Sequence, residues 1–414
     1  MSSSKICFYV LLIIVSTRLL TSVGFPTLIN FINFPLSLIL FLIHTKKLKY
    51  TDTTLFYLII LLGFFILFSG LINYSGIINI SLQILLYVSF FLFFISFVST
   101  EWNIESINFF KKGLTFIFII NILFSYYQIF LQGKIGDGVH GIAINLGTAA
   151  HLNGAICLIS FLFFIFYYNN EKKNLSYILA FTNLPIIFYS DAKQVLLVMA
   201  FSWITTLIVN FKFKGTYFKE LLFLLLGSLL FYFILTNNLL PLRDYDNLMI
   251  GFGHKFDILN LISEKNTLFQ MFFGMGPGQT ISRLATESYL YYDLLKSYGF
   301  IHSDFTNTLL AIDFFNNKIS GSSFFSMKFT LVGIFGDIGI FGLLSYLLIL
   351  LRIYKVYCLT QIQKFILISF IYYGLTFNWL EEPIFMILYL AFVGFIWQIE
   401  NYKTRSEERR VGKE

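Results

Sequence analysis

The sequence predicts an all-α integral membrane protein of about twelve transmembrane helices, with one large connector between spans nine and ten. Three observations predict it. The chain is 57% hydrophobic and only 12% charged, with a mean hydropathy of +0.77, more apolar surface than a soluble protein of this length can hide. Apolar runs of about 20 residues recur along it, the length that crosses a bilayer. Lys and Arg clusters fall on every second connector, as alternating spans require.

The spans are expected near 6–24, 27–44, 54–74, 77–99, 113–132, 148–168, 175–190, 194–211, 219–240, 326–351, 363–380 and 383–399. Lys5 precedes an apolar run that outlasts a signal-peptide core and carries no Ala-x-Ala site, so the first span is expected to stay uncleaved. The basic clusters are Lys46 to Lys49, Lys111-Lys112, Lys172-Lys173, Lys212 to Lys219, and Arg352 to Lys364. The alternate short connectors hold only Lys134 and Lys193. This phase puts both termini in the cytoplasm and the large connector at the outer face.

The formal charge of +7 follows from these flanking residues and points to no nucleic-acid partner. Cys7, Cys157 and Cys358 lie in or beside apolar spans without a CxxC pair, so neither a disulfide framework nor a zinc site is implied. The chain divides into spans one to nine (1–240), the connector (241–325), spans ten to twelve (326–400) and a tail (401–414). Residues 405–414 are Arg- and Glu-rich and contain no Phe, Ile or Tyr, so they are expected to be foreign to the rest. No internal repeat of the kind common in transporters is visible.

The connector is the polar, aromatic-rich exception in this chain, and a segment of that length is where chemistry is expected. Apolar residues at helical spacing between Asn247 and Phe273 predict one or two amphipathic surface helices. Gly274-Met275-Gly276-Pro277-Gly278 specifies a tight irregular turn. Such a turn either joins two helices or exposes N–H groups to an anion. Arg283, Glu287, Tyr289, Tyr291, Tyr292 and Lys296 follow. Tyrosines there either stack on sugars or sit at a bilayer interface, the commoner use.

His302, with Ser303, Asp304 and Asn307 close by, is either a general base or a solvated loop histidine. Asp337 interrupts the tenth span, and an intramembrane carboxylate needs a partner or a polar cavity. Asp191-Ala192-Lys193 and Glu381-Glu382 place further charge at the same expected outer end. Asp244-Tyr245-Asp246 is an Asp-x-Asp pattern that elsewhere binds a divalent ion, but it lies late in the chain; no metal site and no cofactor are expected.

In this order, the Gly-rich turn, His302-Ser303 and Asp337-Ile338-Gly339-Ile340-Phe341-Gly342 resemble the O-antigen polymerase and ligase superfamily. Topology carries the resemblance over most of the chain, and motifs carry it over about 193 to 342. The chain departs from that pattern in places. His254-Lys255 stands where an Arg is usual, with Arg243 upstream; the tenth-span acid is Asp rather than Glu; and Asp-Ala-Lys replaces Gly-Ser-Arg before span eight. Lysine there keeps the charge but not the bidentate fork.

The resemblance implies a GT-C-like membrane glycosyltransferase that needs no metal. It would polymerise undecaprenyl-diphosphate-linked oligosaccharide repeat units for O-antigen, capsule or exopolysaccharide in a bacterial inner membrane. A flippase and a chain-length regulator of the same pathway are the implied partners. Under that reading, His302 is the candidate base with Asp304 as fallback. Lys193, Lys255 and Arg283 contact the diphosphate, helped by the Gly276 and Gly278 backbone. Asp337, Glu381 and Glu382 hold the cations or bind sugar. The alternatives are a ligase that moves finished glycan to lipid A core or protein, and a flippase, which the late loop and missing repeat argue against.

Overall fold

A computed structural model describes residues 3–22, 32–45, 52–143, 149–168, 173–190, 192–209, 245–289, 292–320 and 329–411, with positions 25 and 29. It is 84% helix with no strand among these residues, so any membrane crossing is by helices. In chain order the helices are α1 (Ser3–Ser22), α2 (Asn33–Thr45), α3 (Thr53–Ile72), α4 (Ile77–Val98), α5 (Ile104–Tyr126), α6 (Ala149–Phe166), α7 (Lys173–Phe181), α8 (Asn183–Tyr189) and α9 (Lys193–Val209). Then come α10 (Tyr245–Lys265), α11 (Leu268–Phe273), α12 (Arg283–Tyr289), α13 (Tyr292–Ser297), α14 (Asp304–Ser320), α15 (Thr330–Tyr357), α16 (Gln361–Thr376) and α17 (Pro383–Val411).

Among the described residues, six helical stretches are long and apolar enough to cross a membrane: Ser4–Thr21, Thr53–Ile72, Ile77–Val98, Ile104–Leu131, Thr330–Tyr357 and Pro383–Glu408. Shorter apolar helices cover Asn33–His44, Ala150–Phe166, Asn174–Tyr189 and Gln194–Val209. The expected seventh span is two helices broken at Thr182, and the expected ninth, 219–240, lies outside the described residues. The tail does not separate: α17 runs through Val411, and Arg405 pairs with Glu101 at 3.2 Å.

α4 and α17 form the centre. Their apolar stretches are 72% and 83% buried, against 33% for α3, whose free face is left for lipid. The run Ser89–Val98 of α4 is buried throughout. Phe97, Trp102, Phe110 and Phe395 interlock there, with ring centroids 4.6 to 5.7 Å apart. In lipid no hydrophobic force drives helices together, so such close dispersion contacts carry the packing. Buried amides bridge the helices as well: Gln398 Nε2 donates to the carbonyls of Phe97 and Thr100 at 2.9 and 2.7 Å.

Of the connector, α11 packs on α3 and α15, and α12 packs on α4. The expected amphipathic region is thus two helices, α10 and α11. Thr267 and Gln270 start the second with a reciprocal capping box.

Candidate functional site: a loop latched onto a broken helix

The Gly-rich turn is docked into the helix bundle rather than lying over it. α11 stops at Gly274, and Gly274, Gly276 and Gly278 have φ of 84°, 109° and 69°. A side chain at Gly274 would meet the backbone of Asp337 and Ile338. Opposite, α15 is broken at Gly339 (φ 69°), where a side chain would meet the backbone of Phe272 and Phe273. Two chains approach this closely because neither has a Cβ.

The break frees carbonyls, and the loop takes them. Met275 N donates to Gly336 O at 2.8 Å, and Gly276 N donates to Asp337 O at 3.0 Å. The Asp337 carboxylate then fills the turn. Gly278 N donates to Oδ2 at 2.9 Å, Thr280 N to Oδ1 at 3.0 Å, and Thr280 Oγ1 to Oδ1 at 2.6 Å. The turn is therefore an anion nest whose anion is the protein's own Asp337. The Gly276 and Gly278 N–H groups, expected to face a diphosphate, are committed inside the chain. Asp337, expected to hold the cations or bind sugar, positions the loop. Ser69 Oγ, donating to Asp337 O at 2.8 Å, and Asn73 Nδ2, donating to Gly274 O at 3.0 Å, tie the latch to α3.

Beyond the latch, Arg283 is buried, and its guanidinium forms an ion pair with buried Glu382. Its backbone N–H donates to Glu381 Oε2. Burial pushes the Glu381 carboxyl up to about 8; the Arg283 N–H opposes this, and the neighbouring Asp337 charge adds to it. The sequence predicted these three residues for one site, and the structure joins them. Trp379–Glu381 is a single tight turn between α16 and α17 that delivers both carboxylates.

His302 contacts Ser288, which lies near the opposite end of α12 from Arg283. Its Nε2 is 3.0 Å from Ser288 Oγ, and its ring stacks on Tyr292 with centroids 4.8 Å apart. Burial pushes its pKa down to about 4, with Asn307 opposing, so the ring is neutral and a weak base. It is a packed residue rather than a solvated one. Asp304 is exposed in the first turn of α14, and among the described residues no hydrogen bond or ion pair joins it to His302. Gln279 ties the segment to the turn: its Nε2 donates to Ile301 O at 2.6 Å, and its Oε1 accepts from Ser303 N at 2.8 Å.

Lys193 begins α9, where the preceding Ala192 packs against Gly154 of α6, and Lys255 lies in α10; the side chains of both fall outside the described residues, as do Arg243 and Asp191. Among the described residues no group of three or more His, Cys, Asp or Glu could hold a metal ion.

Sequence reasoning missed two things. One is a polar face of α4. Asn79 accepts from Ile301 N at 2.9 Å and donates to the carbonyls of Pro277 and Ile301; Gln83 and Tyr87 follow at four-residue spacing, both fully buried. Polar residues at i, i+4 and i+8 in an apolar span were the available signal. The other is the connector 132–143, which the side chains of Asn121, Gln128 and Asn153 clamp by its backbone. It brings Asp137 to 3.8 Å from the buried His151, whose ring lies 5.8 Å from Phe377.

Comparison with family models and with curated proteins finds no match for the chain.

Proposed function

We propose that this protein is a twelve-span, GT-C-like glycosyltransferase of a bacterial cytoplasmic membrane. It polymerises undecaprenyl-diphosphate-linked repeat units at the outer face, with both termini in the cytoplasm. One observation carries the reading: a cation, Arg283, is buried against paired carboxylates beneath a loop latched into a membrane helix bundle. A charge is costly to place there and marks a functional site.

The chemistry fits that site. A hydroxyl of one lipid-linked unit attacks the anomeric carbon of the growing glycan, and the lipid diphosphate leaves. The leaving group is already good, so the protein needs positioning, a cation for the developing charge and a base. Arg283 supplies the cation, with Lys193 and Lys255 as its partners from α9 and α10. Glu382 holds the guanidinium until the diphosphate arrives. The latch fixes α12, which carries Arg283 at its first residue.

Two measurements test this together. A reporter fused near residue 290 is active outside the cell. Deleting the gene removes long-chain surface glycan on a gel, and the wild-type gene restores it. A cytoplasmic reporter or an unchanged ladder overturns the proposal.

A further inference from the structure

The proposed reaction needs a proton acceptor, and His302, with its Nε2 against Ser288 and its basicity lowered by burial, is poorly suited to the task. Glu381 is built differently. Its Oε2 is held by the Arg283 N–H, while the fully buried Oε1 has only the Tyr87 hydroxyl to turn to among the described residues. A Cβ built on Gly333 would come 3.3 Å from Oε1, so glycine at 333 leaves that oxygen its room.

The Tyr87 hydroxyl of α4 faces this carboxyl as its side-chain neighbour and meets no other polar group among the described residues. One turn away on the same face, Gln83 has both amide atoms buried and unpartnered. Unpaired buried polar groups are expensive, and more so within a bilayer. Three such side chains stand here, on one face of α4 and on the carboxyl opposite Tyr87, one and two turns along α4 from Asn79, which holds the loop at Pro277 and Ile301. Together they offer what a sugar hydroxyl recognises: a carboxylate acceptor, a phenolic donor and an amide that both donates and accepts.

We propose that Glu381 is the general base of the transferase, with Tyr87 and Gln83 holding the acceptor sugar. The inference rests on the polymerase reading. In the step, the acceptor O–H proton passes to Glu381 Oε1 as that oxygen bonds the anomeric carbon. The anomeric carbon–phosphate oxygen bond breaks, and its electron pair leaves with the lipid diphosphate beside Arg283. Glu381 ends as a neutral acid, and its proton then passes to water. The groups that face it are Arg283, Asp337, Tyr87 and Tyr346. Burial makes the carboxylate more basic than usual, which suits a base working near neutral pH.

Glu381→Gln tests the base directly. The amide oxygen still accepts the Arg283 N–H, so a purely structural role survives the change, while a base does not. We expect chain growth to fall ~10²- to 10⁴-fold, the usual contribution of a general base. Right-side-out vesicles of the native bacterium carry their own lipid-linked units and serve as the assay. Normal growth in Glu381→Gln, with the gene deletion inactive, overturns Glu381 as base and leaves the polymerase reading standing. Normal growth in the deletion overturns both. If Glu381→Gln does not insert, the wild-type pH profile decides. The rate should rise about tenfold per pH unit up to about 8 and then level, and a flat profile overturns the proposal.

Discussion

Asp337→Asn isolates the latch. The carboxylate accepts from Gly278 N at 2.9 Å and from Thr280 N and Oγ1 at 3.0 and 2.6 Å, with the Ser282 side chain beside it. Bonds to a charged acceptor contribute about 1.5–3 kcal/mol each. Asparagine is nearly isosteric and keeps one acceptor oxygen, but its NH2 must face either Gly278 N–H or the Thr280 donors. In the less costly orientation, with the NH2 facing Gly278, one charged bond is lost, about 2 kcal/mol, and its donor is left unpaired, about 1 kcal/mol more. A change of about 3 kcal/mol raises the population of the undocked loop ~100-fold, at 1.36 kcal/mol per factor of ten. Hydrogen exchange read by mass spectrometry on the protein in nanodiscs measures this over residues 274–283. The variant should exchange ~100-fold faster there, with α4 and α17 unchanged. If protection of the turn stayed at the wild-type level, Asp337 would not hold the loop, and the nest would be an incidental contact.

Other outcomes follow from the same geometry. Gly339→Ala meets the Phe272 and Phe273 backbone at positive φ, whereas Gly133→Ala has the same φ problem with nothing within 4 Å. Thermal unfolding in detergent should show the first well below wild type and the second down by only about 1 kcal/mol. Arg283→Ala leaves Glu382 buried without its ion-pair cation, a loss of about 3–5 kcal/mol, so its yield should fall. Adding Glu382→Gln should restore the yield on a Western blot without restoring long-chain glycan. His302 binds a proton only below about 4 in the folded chain, against 6.5 for the ordinary group. Between these values the undocked loop takes up the proton, so the docking that His302 contributes above pH 6.5 is lost as pH falls towards about 4. Exchange over 288–303, corrected for its intrinsic pH dependence, should show that loosening, and His302→Gln should reduce it.

The helices were legible because apolar runs obey bilayer thickness, a rule that needs no tertiary information. Glu381, Glu382 and Arg283 were legible as costly charges beside apolar spans, although which atoms pair depends on the fold of the Trp379–Glu381 turn. Gly276 and Gly278 were recognisable as a nest, but the sequence could not say that Asp337, 59 residues from Gly278, would fill it. His302 was singled out for its neighbours in sequence, but of these Asn307 alone acts on the ring, and the rest of its environment comes from Ser288 and Tyr292, on α12 and α13. Tyr87 and Gln83 were overlooked because a tyrosine and a glutamine in an apolar run look ordinary until Glu381 is seen facing one of them.

The central claim is that the protein joins lipid-linked repeat units to one another. Mass spectrometry of lipid-linked glycans from the gene-deletion strain tests it most directly. Undecaprenyl diphosphate bearing single repeat units should accumulate at the outer face. Accumulation of long lipid-linked polymer contradicts it and marks a ligase, and single units confined to the inner face contradict it in favour of a flippase.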